Sequence, residues 1–593
     1  MGGGFAGNAQ ARHLKLRMPD LRVAVIDRRT EEKLETDRKV GESLIEISSL
    51  FLMQELKLHE YLIEKHRPKH GLNFHWPRDP NKTGRLDDYW SIWSPYLGHV
   101  GTFQIQRSVL ERDLLQMNRE LGVDVLRGVV KDVELRPAGA HRVCVAGDEL
   151  DGVTEIECDY LIDASGRRQI LGKKFDNILR GPEHFGGLNS GASWIRVRKP
   201  DRSFFDSDGG PPGTLNCKYY GTNHFFGKGH WCWMIPLLDD ELSIGMVHHH
   251  QVIDNRTVNT RDGLMAFLER YHQMLYRMVC SGEPVDFRTF KRLPFKSKRY
   301  ISPDRWAVVG DAAAFLDPFY SPALAITSLQ IEQNTAVVEQ RHAGRPIEDL
   351  AEDYNWFMQD FVSQSTALYR NHHRHLGHAS AMAWRMYIEF LRYSGQLLPL
   401  YMGKYHLDRS FIKQARLAGN MHGPFDELLH KTLDDLIASG KNAGFPDSYQ
   451  HDHYMLGMSP VWHGYVERRE FEPGTVNLAF SAGWASMTAM RGLATLTRRT
   501  YGAKGLLRLA HLGVQARSAL VTGVGFAGGL VHRLSNLRQP RNAFLANTAR
   551  DFRSYRFDDS AYQTAFYHRS SPEGDSGADS RSDASSSTPL AAQ

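Results

Sequence analysis

The sequence predicts an α/β fold of Rossmann type, with an inserted, mainly antiparallel β-sheet region and a largely helical C-terminal domain. Three observations predict it. Gly2, Gly4 and Gly7 stand at G-x-G-x-x-G spacing and are followed by the apolar run RVAVID; such glycines allow a tight turn and close backbone approach at a helix N-terminus. Residues 180–300 are strand-rich and carry GHWCWMIPL at 229–237. From about Arg345 to about Asn547 the chain reads as mostly helical, rich in Tyr, Trp, His and Met, with glycine breaks. The chain therefore divides into a module over 1–340 that contains the 180–300 sheet, a helical domain over 341–569 and a disordered tail over 570–593. In that tail Ser, Asp, Gly and Pro dominate.

Composition narrows the function classes. The chain has 593 residues, 41% of them hydrophobic, enough for a large core. A formal net charge of +5 without a long Lys/Arg run argues against nucleic acid as a partner. Cys144, Cys158, Cys217, Cys232 and Cys280 lie far apart, with neither zinc spacing nor a disulfide framework, which fits a reducing cytoplasm. No signal peptide is visible. The longest uncharged apolar run, 518–530, is too short to span a bilayer. A cytoplasmic protein without a transmembrane segment is expected.

Taken in order, the glycine loop opens the chain, so the strand that would precede it is missing from the sequence; a start site set too late is the expectation. Asp27 ends RVAVID about twenty residues on, placed to accept hydrogen bonds from a ribose. Gly41-Glu42-Ser43 reads as a helix start with Ser43 as cap. A helical stretch over 44–66 follows. Lys69 then precedes a strand-like segment over 72–76, with Lys65 as its nearby rival; a lone lysine ordinarily sits in solvent. Arg107 opens a helix, either in a salt bridge or on a cofactor. Asp163-Ala164-Ser165-Gly166 closes a second apolar strand.

In 229–237 alternate residues share a face. Trp231 and Trp233 stand on one side, Cys232 and Met234 on the other, and Pro236 ends the strand or makes it an edge. The ordinary reading is a pair of indoles filling a core. His248–His250 alternate faces, and HHRHLGH at 372–378 has no paired carboxylate, so no metal is expected at either. Trp356, Tyr369 and Trp384 read as packing residues, or as lining of a pocket capped by the helical domain.

Residues 305–338 read as strand, turn, loop and helix. Gly310 lets the backbone turn, and Asp311 is placed to accept hydrogen bonds from ribityl hydroxyls. Pro322 suits a first helical turn, and the helix N-terminus can stabilise negative charge on a reduced flavin. With the glycines, Asp27 and DASG in that order, the stretch predicts FAD as cofactor.

Assembled, these residues resemble those of the flavin-dependent halogenases, a family acting on tryptophan, phenols and pyrroles. The resemblance covers roughly 1–340 and rests on GGGFAG, GES, Lys69 with Phe74 as K-x-x-x-x-F, DASG, WCWMIP and GDAAAFLDPFYSP. It implies a GR2-like flavin fold, as in flavin monooxygenases. It implies a cofactor site of Gly2, Gly4, Gly7, Asp27, Gly41, Glu42, Ser43, Arg107, Asp163, Gly310, Asp311 and Pro318. A halide site at Ser321, Pro322 and Ala323 follows, with Lys69, Trp231 and Trp233 as catalytic residues. The implied chemistry uses reduced FAD from a separate flavin reductase, dioxygen and chloride or bromide. Hypohalous acid then travels through a tunnel to the lysine, which presents the halogen to an aromatic substrate, free or carrier-protein-bound, in secondary metabolism such as antibiotic biosynthesis. The indoles are implied to keep organic substrate from the flavin.

One departure stands out. The family's F-x-D-P-x-x-S-x-G is matched by Phe315, Asp317, Pro318 and Ser321, but Ala323 takes the glycine position. If that position needs a left-handed backbone, alanine costs about 1–2 kcal/mol there; if the loop is built otherwise, no ordinary halide site forms. Two other readings stand beside halogenation: a flavin monooxygenase or reductase of the same fold, and a flavin-binding paralogue without turnover.

Overall fold

The computed structural model describes residues 1–92, 100–147, 152–205, 218–419, 422–445, 478–508 and 510–520, together with Gly523 and Ala527. The expected tail, most of the run 518–530, and Cys217 lie outside the described residues.

The tryptophan stretch lies within a seven-stranded sheet. Its order is Glu283–Phe290, Ser190–Arg198, Glu241–His249, His230–Pro236, Thr222–Gly227, Leu72–Pro77 and Tyr89–Ile92. Every pairing is antiparallel except that of Thr222–Gly227 with Leu72–Pro77. All seven residues of His230–Pro236 are buried, and the strand stops at the proline as expected. Its two faces feed different cores. Trp231 and Trp233 join a cluster that also takes in Phe5, Phe74, Phe319 and Met386. Cys232 and Met234 join a second cluster with Tyr89, Phe225 and Met274.

The glycine loop is held between two parallel strand pairs, Ala24–Asp27 with Asp124–Arg127 and Leu161–Asp163 with Trp306–Val308. The Gly2 amide donates to Ile26 O at 2.8 Å, while Met1 O accepts from the Ala164 amide at 2.9 Å. From this point the helix Phe5–Arg17 begins, with Gly4 as its N-cap. It packs against the helices Arg107–Glu120 and Pro322–His342. The result is a mixed α/β chain with a large sheet and many helices.

C-terminal helices complete the first cluster with Tyr354, Met358, Met382 and Tyr401. A buried charge set fastens them to the earlier chain. Lys404 Nζ lies 2.8 Å from Glu55 Oε1 and 2.7 Å from Glu332 Oε1, and His406 Nε2 lies 2.7 Å from Glu332 Oε2. Removing one member of such a buried set strands its partner's charge, at a cost of about 3–5 kcal/mol. Among the described residues no helix is long and apolar enough to cross a membrane.

Candidate active site

The glycines divide the labour of one cradle. A Cβ on Gly7 would lie 1.8 Å from Gly2 O, and one on Gly2, at φ +111°, would lie 2.3 Å from Ala164 O. These two permit the turn itself. A Cβ on Gly3 would meet Asp27 Oδ2 at 2.3 Å. Gly4 instead has room for a Cβ, which would meet Glu111 Oε2 and Lys39 Nζ in ordinary contact at 3.7 Å. At this helix N-cap three cations gather around Glu111. Lys39 Nζ and Arg29 Nη1 lie 2.6 and 2.8 Å from Glu111 Oε2, and Arg107 Nη2 lies 2.8 Å from Glu111 Oε1. Burial works to raise the Glu111 carboxyl, but Lys39, Arg107 and Arg29 outweigh it and hold it at about 2. A bare N-terminal helix turn fits a pyrophosphate, so the residues present fit FAD, with the three cations beside it balanced by Glu111, Asp27 and Asp37.

Asp27 is buried at the end of its strand, and Arg29 Nη2 lies 3.0 Å from its carboxylate. Arg107 is a half-buried helical ion pair that also donates to Val40 O at 2.9 Å. A Cβ on Gly41, at φ +92°, would meet Arg107 Nη1 at 2.7 Å and Leu324 Cδ1 at 3.4 Å. The GES turn, Arg107 and the start of Pro322–His342 therefore meet at one point. Gly310, at φ +62°, packs on Ala6 Cβ, where a side chain would come within 2.7 Å. Burial raises the Asp311 carboxyl, opposed by Arg167, Arg107 and Lys39. Asp163 is committed to its own turn: it accepts from the Ser165 amide at 2.9 Å and the Leu171 amide at 2.8 Å.

The GES turn also carries the lysine. Glu42 points into the sheet, where its Oε1 accepts from Arg196 Nε at 2.8 Å. Ser43 Oγ accepts from Lys69 Nζ at 3.1 Å and lies 2.8 Å from Thr222 Oγ1. Lys69 Nζ donates as well to Leu44 O, and the Lys69 amide donates to Thr102 O at 2.8 Å. Lys69 is 2% exposed. Burial brings its amine down to about 8, against the attraction of Glu46. Lys65, by contrast, has a half-exposed side chain paired with Glu64 at 3.1 Å. A surface ion pair of that kind contributes little.

From Lys69 the aromatic core leads to the tryptophans. Phe74 stacks on His224 with centroids 4.9 Å apart, His224 lies 5.4 Å from Trp231, and Trp231 lies 5.4 Å from Phe319. Trp231 Nε1 donates to Asp317 Oδ1 and Trp233 Nε1 donates to Ser243 Oγ, both at 3.2 Å. Gly245 stands directly across from Trp233, and a Cβ there would lie 2.1 Å from its ring. That glycine is the slot for the indole. Asp317 also accepts from the Phe319 amide at 3.0 Å, and burial lifts its carboxyl to about 7 against these two hydrogen bonds.

The loop Pro318–Pro322 closes with Ser321 N donating to Pro318 O at 2.9 Å. Its left-handed residues are Tyr320, at φ +68°, and Ser321, at φ +55°. Ala323 follows Pro322 inside the helix Pro322–His342, with no positive φ. The left-handed backbone considered for position 323 is thus absent, and the expected strain with it: the turn is made two residues earlier. C-terminal helices clamp this loop. Tyr369 OH donates to Phe319 O at 3.1 Å, and Tyr320 OH donates to Glu389 Oε2 at 2.7 Å. Trp384 packs in a separate helical core.

Sequence reasoning missed Gly3, Arg29, Lys39, Glu111, Arg196 and Gly245. Glu111 stands four residues after Arg107, a spacing that pairs side chains on a helix, so that signal was present. For Arg196 and Gly245, whose partners lie in other strands or in the GES turn, no local signal exists.

No protein-family model matches the chain. It is 33% identical over 593 residues to the protein named flavin-dependent halogenase chlA of Dictyostelium discoideum, across 94% of this chain and 96% of that one. Over 221 residues it is 25% identical to a 1H-pyrrole-2-carbonyl-[peptidyl-carrier protein] brominase of Pseudoalteromonas luteoviolacea, across 37% of this chain and 51% of that one. Among solved structures, halogenase PltM in complex with phloroglucinol and FAD shares the fold, with a TM-score of 0.56 and 14% identity over 85% of this chain and 98% of that one.

Proposed function

The chain belongs to the flavin-dependent halogenases, an FAD-dependent oxidoreductase with halide as a substrate, and from that premise we propose that it halogenates an electron-rich aromatic compound through the buried amine of Lys69. FAD, when bound in reduced form, supplies the oxidising chemistry: with dioxygen, halide and one proton it yields hypohalous acid, water and oxidised FAD. A separate flavin reductase supplies the reduced flavin.

The chain's own residues do the rest. The bare turn at Gly4 receives the pyrophosphate on its backbone amides. Asp27 faces the adenosine ribose, and Gly41 and Gly310 let backbone approach the cofactor. The Ala323 amide, in the first turn of a 21-residue helix, favours an anion such as chloride or bromide, while the Ser321 amide is engaged by Pro318 O and Pro322 has no N–H. The helical backbone at Ala323 is the second of the two cases for that position, so halide dependence of product formation separates this reading from a monooxygenase. Trp231 and Trp233 keep the organic substrate out of the flavin's compartment. Lys69 holds hypohalous acid by hydrogen bonding or as a haloamine and directs the halogen to a ring carbon. The carbon–halogen bond forms, the ring proton leaves, and the hypohalous oxygen departs as water.

The observation that carries this reading is Lys69: an amine buried to 2% exposure, brought down to about 8 by burial, and tied to the GES turn through Ser43. Burial at this depth serves no surface role and favours a reactive lysine. The substrate is a free aromatic or one carried on a peptidyl carrier protein, as the name of the brominase relative describes for that protein. Mass spectrometry of phenol, indole and pyrrole pools, free and carrier-bound, incubated with the protein, a flavin reductase and bromide or chloride tests it. Mono-halogenated product that needs Lys69 is expected; hydroxylated product alone would replace this reading with a monooxygenase.

A further inference from the structure

Behind the tryptophans, on the opposite face of His230–Pro236, three metal-binding side chains converge. His230 and Cys232 are two residues apart and share that face. His272 reaches it from the junction of the helices Arg261–Tyr271 and Gln273–Ser281. All three are buried, and their ligand atoms lie within 4.8 Å of one another. The outer nitrogen of each ring is already engaged. His230 Nδ1 donates to Lys228 O at 3.3 Å, which leaves a lone pair on its Nε2. His272 Nδ1 lies 3.3 Å from Tyr89 OH. The two Nε2 atoms face each other at 2.8 Å. An ion about 2.0 Å from each nitrogen and about 2.3 Å from sulfur needs the rings to turn slightly outward and Cys232 Sγ to draw in toward them. Engaged outer nitrogens are the usual support for metal-bound imidazoles.

We propose that His230, Cys232 and His272 form a buried site for a thiophilic cation, and that the ion it takes is Cu(I). One thiolate and two imidazoles suit a soft ion. The ligand count points the same way. His248 stands opposite His230 across the strand pair, but its Nε2 is bonded to Asn255 Oδ1 at 3.0 Å and it is not part of the converging group. Among the described residues three ligands converge, enough for trigonal Cu(I) and one short of a closed tetrahedral zinc set. Charge decides between them. Cu(I) with a thiolate is neutral, whereas Zn(II) leaves a net positive charge beside Phe267, 4.8 Å from the His230 ring, and among Phe225 and Met234, where an uncompensated charge is costly. Binding as one thiolate and two neutral imidazoles releases one proton, from Cys232. Without the ion the same atoms form a hydrogen-bonded relay from Tyr89 through His272 and His230 to Lys228 O.

The test is an anaerobic titration of the full chain with Cu(I) against bathocuproine disulfonate, with Zn(II) in parallel. One Cu(I) per chain and one proton released are expected, with a rise in the thermal midpoint. Cys232→Ser and His272→Gln should each weaken binding at least about tenfold, while FAD binding by both variants reports that the fold is retained. X-ray absorption of the loaded parent chain should give one sulfur and two nitrogen neighbours, a readout that needs no variant. The site is overturned if the parent chain yields all its Cu(I) to the chelator, if Cys232→Ser binds as well as the parent, or if Zn(II) is taken in preference to Cu(I).

Discussion

Trp231 Nε1 donates to Asp317 Oδ1 at 3.2 Å, which ties the tryptophan strand to the loop that leads to Ser321 and Ala323. The Asp317 carboxyl sits at about 7 in the folded chain and near 3.9 when unfolded. The folded state holds this proton across that window. Stability from this group is therefore present below about pH 4 and lost as pH rises through 7. Asp317→Asn keeps an acceptor for the indole but removes the titration. Relative to the parent, the variant should gain about 3 kcal/mol between pH 5 and pH 8. Urea unfolding at both pH values measures it, and an unchanged difference would falsify the assignment.

Lys69→Ala should abolish halogenation while flavin reoxidation continues, because the amine acts after hypohalous acid has formed. Lys65→Ala, at an exposed ion pair, should leave product formation within about twofold. As a hydrogen-bond donor Lys69 works best protonated, so halogenation should fall as pH rises through about 8. A rise through the same pH identifies a haloamine instead. Product yield and flavin absorbance, followed side by side, separate the two steps.

Two glycines of one loop should fail differently. Gly4→Asp has room for its Cβ, so the fold survives, but a carboxylate then stands beside the pyrophosphate and FAD affinity should drop at least about 100-fold. Gly7→Ala has no room against Gly2 O, and the chain itself should lose about 1–3 kcal/mol or more. Flavin titration and thermal unfolding on both variants check the contrast.

Gly245→Ala tests the indole slot. The glycine has no positive φ, so the whole effect is the new methyl against Trp233. About 1–3 kcal/mol of stability should go, and coupling should loosen: more reduced flavin is consumed per halogenated product. If coupling holds while stability falls, Trp233 is a packing residue only.

Ala323→Gly should change halide dependence by less than about twofold, because the alanine is already helical. Product formation against chloride and bromide concentration measures it. A tenfold tightening would mean that the loop adopts a left-handed turn at position 323 when halide binds.

Much of this site was legible because its parts are local. Strand alternation alone assigns Trp231 and Cys232 to opposite cores, and the glycine spacing puts Gly4 at a helix start. Lys69 was separable from Lys65 only by resemblance; the two differ in burial, which no window of sequence reveals. The carboxylates were the hardest to read. Glu42 and Asp163 stand in motifs that point to a cofactor, yet one is held by Arg196, 154 residues away, and the other by the amides of its own turn. Asp317 meets Trp231 across 86 residues. Contacts of that range leave no periodic trace. The turn at Tyr320 and Ser321 was missed for another reason: neither residue is a glycine, and positive φ in such residues is set by what packs around them.

The tyrosine contacts on the loop limit how this enzyme can be recombined. Tyr369, in the turn after the helix Glu348–Ala367, and Glu389, in the helix Ala379–Arg392, hold the segment before Ser321 through Phe319 O and the Tyr320 hydroxyl. A chimera that grafts the C-terminal helices of a paralogue onto this flavin-side module exchanges more than whatever those helices offer an aromatic guest. It also swaps the braces that set the loop's curvature, so a change of guest and a change of ion preference should travel together in such hybrids.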